Sequence, residues 1–293
     1  MTPPFRLALV GAGRMGRTHA RALAASSEVE IVCVVEPSDQ AAALVDAPRA
    51  TLAGLPDVDG ALVCVPTRFH VEVVTALSEL GLPVLCEKPC GLTTAETRAI
   101  AALPTRLQVA YWRRFVPALR MLRERIAAGE LGEVSIVRCA QWDESPPSRA
   151  FRDPASSGGI VVDMGVHEFD QMRWLTGQEV GAVAGIAAVT AIEHVDGDPE
   201  SVELAVALSG GAVGSVSLAR RYEPGETVRV EVLGSDGAVS IDFVAPPSGD
   251  ATIAAALRAQ AEDFARAGGE GATVADALAA LDAAERARAA ISP

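Results

Sequence analysis

Phe5-Arg6-Leu7-Ala8-Leu9-Val10-Gly11-Ala12-Gly13-Arg14-Met15-Gly16 is the stretch that decides the fold. A short apolar run enters a G-x-G-x-x-G turn directly, and the residues from Arg14 to Ala25 have helical composition. Strand, glycine turn and helix in that order are the entry to a dinucleotide-binding βαβ unit. The first Gly permits the tight turn, the second lets the backbone approach a pyrophosphate, and the third lets the helix close on the strand with its N-terminus toward the phosphates. Gly11, Gly13, Arg14, Met15 and Gly16 are therefore candidate cofactor-binding residues.

Working outward, Glu30 to Val35 reads as a second strand ending in Glu36. That is about the distance at which an acidic residue binds the adenosine ribose hydroxyls, the alternative being a strand-end Glu in solvent. A carboxylate there repels a 2′-phosphate, so NAD is expected over NADP. Arg14, by offering a cation to a phosphate, works against that preference. Gly60 to Val65 is an all-apolar strand, as in a parallel sheet buried on both faces. It ends in Pro66-Thr67, and a helix from about Phe69 to Leu80 carries His70 in its first turn, either facing the cofactor or on a solvated helix end. The strand Leu82 to Cys86 stops at Glu87-Lys88-Pro89. Ligands of parallel α/β sheets bind beyond the carboxyl ends of the strands, so Lys88 is expected to point at the ligand, on a turn stiffened by Pro89. A helix from Thr93 to Leu103 and a strand from Arg106 to Ala110 complete a Rossmann domain over residues 1–115.

Residues 116–293 follow a different pattern. After a helix from Pro117 to Ala128, long alternating runs (Val134–Trp142, Val180–Ile192, Ser201–Leu208, Ala212–Tyr222 and Val228–Phe243) have the period of strands covered on one face. Gly234-Ser235-Asp236-Gly237 marks a hairpin. The expected fold class is thus α/β plus α+β: a Rossmann domain, then an open, largely antiparallel sheet with helices on one face. The uncovered face is a candidate homo-oligomer interface, unless the Ala-rich helices Thr252–Ala267 and Thr273–Ala290 cover it.

The segment Ser157 to Gly177 has helical period, with Gly177 as its stop. On one continuous helix, Asp163 and His167 stand four apart on one face, with Asp170 continuing the stripe. A carboxylate beside an imidazole fixes its tautomer and stabilises the imidazolium formed when it takes a proton; a purely structural Asp-His bond is the alternative.

Composition narrows the partners. A net charge of −13 opposes binding to nucleic acid. The N-terminal apolar run is too short for a signal peptide, and the longest weakly polar run, Val180 to Ile192, is too short to span a bilayer, so a cytoplasmic protein with no membrane partner is expected. The cysteines (33, 64, 86, 90 and 139) fall mostly in apolar strands and lack the spacing of a zinc site, so no metal is expected.

With Gly11-Ala-Gly-Arg-Met-Gly-Arg-Thr-His-Ala20, Glu87-Lys88-Pro89 and Asp163-x-x-x-His167 in this order, nearly the whole chain resembles the glucose–fructose oxidoreductase/inositol dehydrogenase family. Tyr111-Trp112-Arg113-Arg114-Phe115-x-Pro117 and Gly129 to Glu133 are similar to its domain-junction pattern, and Gly158 to Trp174 is closest to the myo-inositol 2-dehydrogenase branch. The resemblance implies nicotinamide-dependent oxidation of a ring hydroxyl on a small polyol or sugar, by a homo-oligomer, dimer or tetramer. His167 would take the hydroxyl proton, Asp163 orient it, and Lys88 stabilise alkoxide charge on the same oxygen. Glu87 would lie near the nicotinamide ribose, with Pro66, Thr67 and His70 on the nicotinamide side. Two departures stand out: Tyr222 to Thr227 replaces a tyrosine-rich turn, and the link from Phe243 to the next helix is short. Other pyranoses or sugar derivatives, glycoside cleavage through a transient ketone, and a nucleotide-sensing regulator are the competing readings.

Overall fold

The computed structural model describes residues 3–189 and 195–291. In chain order the helices are α1 (Arg14–Leu23), α2 (Asp39–Ala42), α3 (His70–Glu79), α4 (Thr94–Ala101), α5 (Pro117–Ala127), α6 (Arg149–Arg152), α7 (Pro154–Ser157), α8 (Gly159–Asp163), α9 (Gly165–Thr176), α10 (Gly249–Arg266) and α11 (Val274–Ile291). The chain divides into two compact units: Met1–Phe115 with Ala254–Ala275, and Val116–Ile253 with Asp276–Pro293.

The first unit holds β1 (Phe5–Val10), β2 (Val29–Val35), β3 (Gly60–Val63), β4 (Val84–Cys86) and β5 (Leu107–Val109), paired in parallel in the order β2-β1-β3-β4-β5. The chain leaves β1 for one side and returns to β3 on the other, which opens a crevice at the carboxyl ends of β1 and β3. Apolar side chains at Leu7, Leu9, Leu62 and Leu85 are fully buried, the outcome of helices on both faces. A local signal sets the start of α4. The Thr93 hydroxyl accepts from the Glu96 amide (3.2 Å), and the Glu96 carboxylate reaches back to the Leu92 amide (2.6 Å), a variant of the capping box.

The second unit contains β6 (Val134–Trp142), β7 (Val180–Ala188), β8 (Ser201–Leu208), β9 (Val213–Ala219), β10 (Thr227–Gly234) and β11 (Ala238–Val244), in the order β11-β10-β6-β9-β8-β7. Every pairing is antiparallel except β6 with β9. The expected hairpin joins β10 to β11, where the Gly234 amide donates to the Gly237 carbonyl (2.8 Å). On β8 the inward set Val202, Leu204, Val206 and Leu208 is buried, whereas Glu203, Ala205 and Ala207 are exposed; α8 packs against β8 and β9, and α9 against β9 and β6.

Three expectations change. Ala254–Ala275, placed by sequence in the second domain, belongs to the first unit. Its helix α10 carries Ala261 and Phe264, both fully buried, and the Phe264 ring lies edge-on to Phe5 (5.9 Å) and under the Arg106 guanidinium (4.3 Å). The segment 157–177 is not one helix but α7, α8 and α9 in succession. The strand expected over Val180–Ile192 ends at Ala188, and residues 190–192 of it lie outside the described residues.

Candidate active site

The glycine turn has the steric demands its sequence implies. Gly11 has φ +99°, and a Cβ there would stand 2.7 Å from the backbone of Cys64, at the end of β3. At Gly16 a Cβ would run into the carbonyl oxygen of Gly11, so the helix approaches the strand as closely as two backbones allow. Gly13 differs: a Cβ there meets no atom within 4 Å, and both Gly13 and Arg14 are exposed. The protein's own packing does not require that glycine. The open space suits close approach of a pyrophosphate, beside a helix start that has no side-chain cap and no acidic residue in its first turn. Met15 is half-buried in that first turn.

Glu36 stands just past β2 with its carboxylate already oriented. One oxygen accepts from the Ala12 amide inside the glycine turn (2.9 Å) and the other from the Ser38 amide (2.9 Å). Each oxygen keeps a further lone pair for a ribose hydroxyl.

Beyond β4, Glu87 is buried and His19 of α1 lies fully beneath it, with the imidazole Nε2 2.7 Å from the Glu87 carboxylate. The second Glu87 oxygen accepts from the Lys88 amide (3.1 Å), so the lysine is tied through its own backbone to the helix that follows the glycine turn. Burial acts to raise the Glu87 pKa. The His19 hydrogen bond, then the charges of His19 and Lys88, outweigh it and hold the carboxyl below its ordinary value. Cys64 completes a buried trio with His19 and Glu87, donor atoms within 4.8 Å of one another, but burial pushes its thiol well up and keeps it protonated. Lys88 itself is half-buried.

His70 is not on a solvated helix end. Its ring is 1% exposed, with Nδ1 3.0 Å from the Pro89 carbonyl and Nε2 3.0 Å from the Val65 carbonyl. The ring thus stands between the turn after β3 and the turn after β4; burial holds its pKa below the usual value, and the neutral ring donates to one of the two carbonyls. Pro66 and Thr67 lie on the first of these turns, Pro66 exposed and Thr67 half-buried.

In the second unit Asp163 is the last residue of α8 and His167 stands in the first turn of α9. The chain bends at Met164-Gly165: the His167 amide reaches the Met164 carbonyl (3.0 Å), three residues back rather than four. Gly165 is a poor helix former, roughly 1 kcal/mol worse than Ala inside a helix, and the break falls there. The segment that carries Asp163 and His167 is thus two successive helices and not one continuous helix. The Asp163 carboxylate accepts from the Arg220 guanidinium (2.8 Å), while His167 and Asp170 are buried along α9. Arg220 escaped the sequence reading. The signal was present, because alternation along Ala212–Tyr222 puts Gly214, Val216, Leu218 and then Arg220 on the covered face, a charge where apolar residues belong.

Residues 5–115 match the oxidoreductase family model described as an NAD-binding Rossmann fold, and residues 119–240 match the GFO/IDH/MocA C-terminal domain. The chain belongs to the GFO/IDH/MocA oxidoreductase family. Among GFO/IDH/MocA relatives, it is 47% identical to the rhizopine catabolism protein MocA of Rhizobium meliloti, over 97% of this chain and 94% of that protein. It is 38% identical to the myo-inositol dehydrogenase Hyg17 of Streptomyces leeuwenhoekii, over 79% of this chain and 74% of that protein. The crystal structure of a myo-inositol dehydrogenase from Corynebacterium glutamicum superposes with a TM-score of 0.88 at 26% identity, covering 98% of this chain and 96% of that one. The GFO/IDH/MocA chain is thus an oxidoreductase with an NAD-binding Rossmann domain, and the regulator reading gives way. No helix among the described residues is long and apolar enough to cross a membrane.

Proposed function

We propose that the protein oxidises a ring hydroxyl of a cyclitol or sugar with NAD, myo-inositol being the first candidate substrate. The observation that carries this reading is the presence of Lys88, Asp163 and His167, with the lysine turn tied to the dinucleotide helix through Glu87 and His19. Bound nicotinamide supplies the hydride acceptor. His167 takes the hydroxyl proton, Asp163 orients the imidazole, and the Lys88 ammonium donates to the same oxygen as alkoxide charge develops. Gly11, Gly13, Arg14, Met15 and Gly16 hold the pyrophosphate, Glu36 the adenosine ribose, and Glu87 with Pro66, Thr67 and His70 the nicotinamide end. The test is nicotinamide reduction by purified protein, followed by absorbance, across cyclitols, aldoses and sugar acids. Turnover of one class supports the proposal; no turnover with any of them, despite measurable NADH binding, removes it.

A second reading, oxidation of a modified cyclitol or sugar, is favoured by the 47% identity to a protein named for rhizopine catabolism. Tyr222-Glu223-Pro224-Gly225-Glu226-Thr227 points the same way, since it departs from the tyrosine-rich turn of inositol-oxidising members.

Cofactor choice rests on Glu36. Glu36→Ala is expected to raise the NAD concentration needed and to relax discrimination against NADP, because the carboxylate that accepts from the ribose and repels a 2′-phosphate is gone. Unchanged ratios of kcat/KM for NAD and NADP would place the ribose elsewhere.

The uncovered face of the second sheet is the proposed interface with a second copy. Glu203, Ala205 and Ala207 lie there beside Ile186 (74% exposed) and Val213 (55% exposed), their cross-strand neighbours at Glu203 and Ala207. Small, largely apolar side chains on a broad sheet suit close face-to-face packing. Light scattering behind size exclusion should give a mass at least twice that of the 30.3 kDa chain; a monomer at micromolar concentration rejects the interface.

A further inference from the structure

Beneath α8 lies a buried charge network of Arg152, Asp198, Arg220 and Asp163, exposed by 4%, 2%, 0% and 9%. Arg152 Nε donates to Asp198 Oδ2 (2.7 Å). Asp198 Oδ1 accepts from Arg220 Nη2 (3.2 Å) and from the Ile160 amide (2.6 Å), and Arg220 Nη1 donates to Asp163 Oδ2 (2.8 Å). Two cations and two anions leave the set neutral, the condition under which charges survive out of water. The planar guanidinium of Arg220 addresses both carboxylates at once, a geometry that an ammonium cannot copy.

These bonds close a ring around a five-residue helix. Asp198 holds the first turn of α8 through the Ile160 amide, Arg220 holds its last residue through the Asp163 carboxylate, and Asp198 and Arg220 hold each other. A helix that short has no stability of its own; isolated helices need roughly 12–15 residues even to be marginal. The clamp therefore fixes the Asp163 carboxylate from outside the helix. Burial works against the Arg220 charge, and the carboxylates of Asp163 and Asp198, with Asp143 further off, more than offset it and raise its pKa.

We infer that Arg220, anchored by Asp198 and Arg152, is a positioning residue of the active site: it holds the Asp163 carboxylate aimed so that Asp163 can orient His167. This rests on the roles proposed above for Asp163 and His167. Arg220 acts through Asp163 and touches no reacting atom.

The test compares Arg220→Met, Arg220→Lys and the double variant Arg220→Met/Asp198→Asn with Asp163→Asn and His167→Ala in the full-length protein. The double variant leaves Arg152 and Asp163 as a neutral set, so it is the form to use if Arg220→Met alone fails to fold, judged by circular dichroism and NADH binding. Loss of the clamp should lower kcat roughly 10–100-fold, the cost of a small misplacement, with little change in KM for NAD. It should also move the acidic limb of the kcat/KM profile to higher pH. Without the cation, the negative charge beside His167 is no longer offset, and that favours an imidazolium there. Arg220→Lys should restore the position of the limb and recover only part of kcat, because charge returns without the fork. A folded Met variant with normal kcat and an unmoved acidic limb overturns the inference while Asp163→Asn and His167→Ala remain impaired. If those two turn over normally, the inference and the proposed site fall together.

Discussion

His167→Ala is expected to lower kcat by about 10²–10⁴-fold, the range for loss of a general base, with NADH affinity unchanged. The ring is 5% exposed at the start of α9, directly past the bend at Met164-Gly165, so shortening it to Ala removes a buried imidazole from a packed corner. A stability loss of a few kcal/mol is expected as well, and thermal unfolding separates the two effects. Steady-state kinetics on folded variant with saturating NAD reads the chemistry. A kcat within a factor of two or three of wild type would remove His167 from the base role.

The other large effect is at the glycine turn. Gly16→Ala should abolish measurable NADH binding or weaken it by more than an order of magnitude, and lower Tm. The added Cβ would collide with the Gly11 carbonyl oxygen, which is backbone and has no rotamer by which to escape. Either α1 moves away from β1, taking the anion-binding helix start with it, or the turn opens. Overpacking of this kind costs typically ~1–3 kcal/mol even where side chains can yield. Gly13→Ala, which meets no protein atom within 4 Å, is the matched control. It should leave Tm nearly unchanged and still weaken NADH, because the space it fills is that of the ligand. Equal losses of Tm in both variants would mean that the steric reading of the turn is wrong.

The contrast between those two glycines shows how far the chain could be read without coordinates. Local signals carried the first unit. The run Phe5–Val10 is a strand of that length, Gly11 takes a positive φ, and Glu36 follows β2. Period-2 alternation likewise located β6 and β8 to the residue, since each strand's burial depends on one covered face. Where the pattern was continuous but the structure is not, reading along the chain misled. The segment Ser157–Gly177 keeps helical composition across Met164-Gly165, because Ser157 to Met172 are all buried while hydrogen bonding changes from four residues back to three. Gly177 nonetheless ended that segment as expected, with φ +68°.

Amino-acid order alone determined the parallel nucleotide unit, the alternating sheet, the placing of Lys88 at a strand end and the candidacy of Asp163 and His167, because each is written in residues a few positions apart. Only the tertiary structure decided that Ala254–Ala275 returns to the first unit, that His70 stands between two turns, and that Asp163 answers to Arg220. Those outcomes depend on contacts between separate elements, such as Asp163 with Arg220 and His70 with Pro89, and a buried charge takes whichever opposite charge the fold carries within hydrogen-bond reach, whatever its distance along the chain.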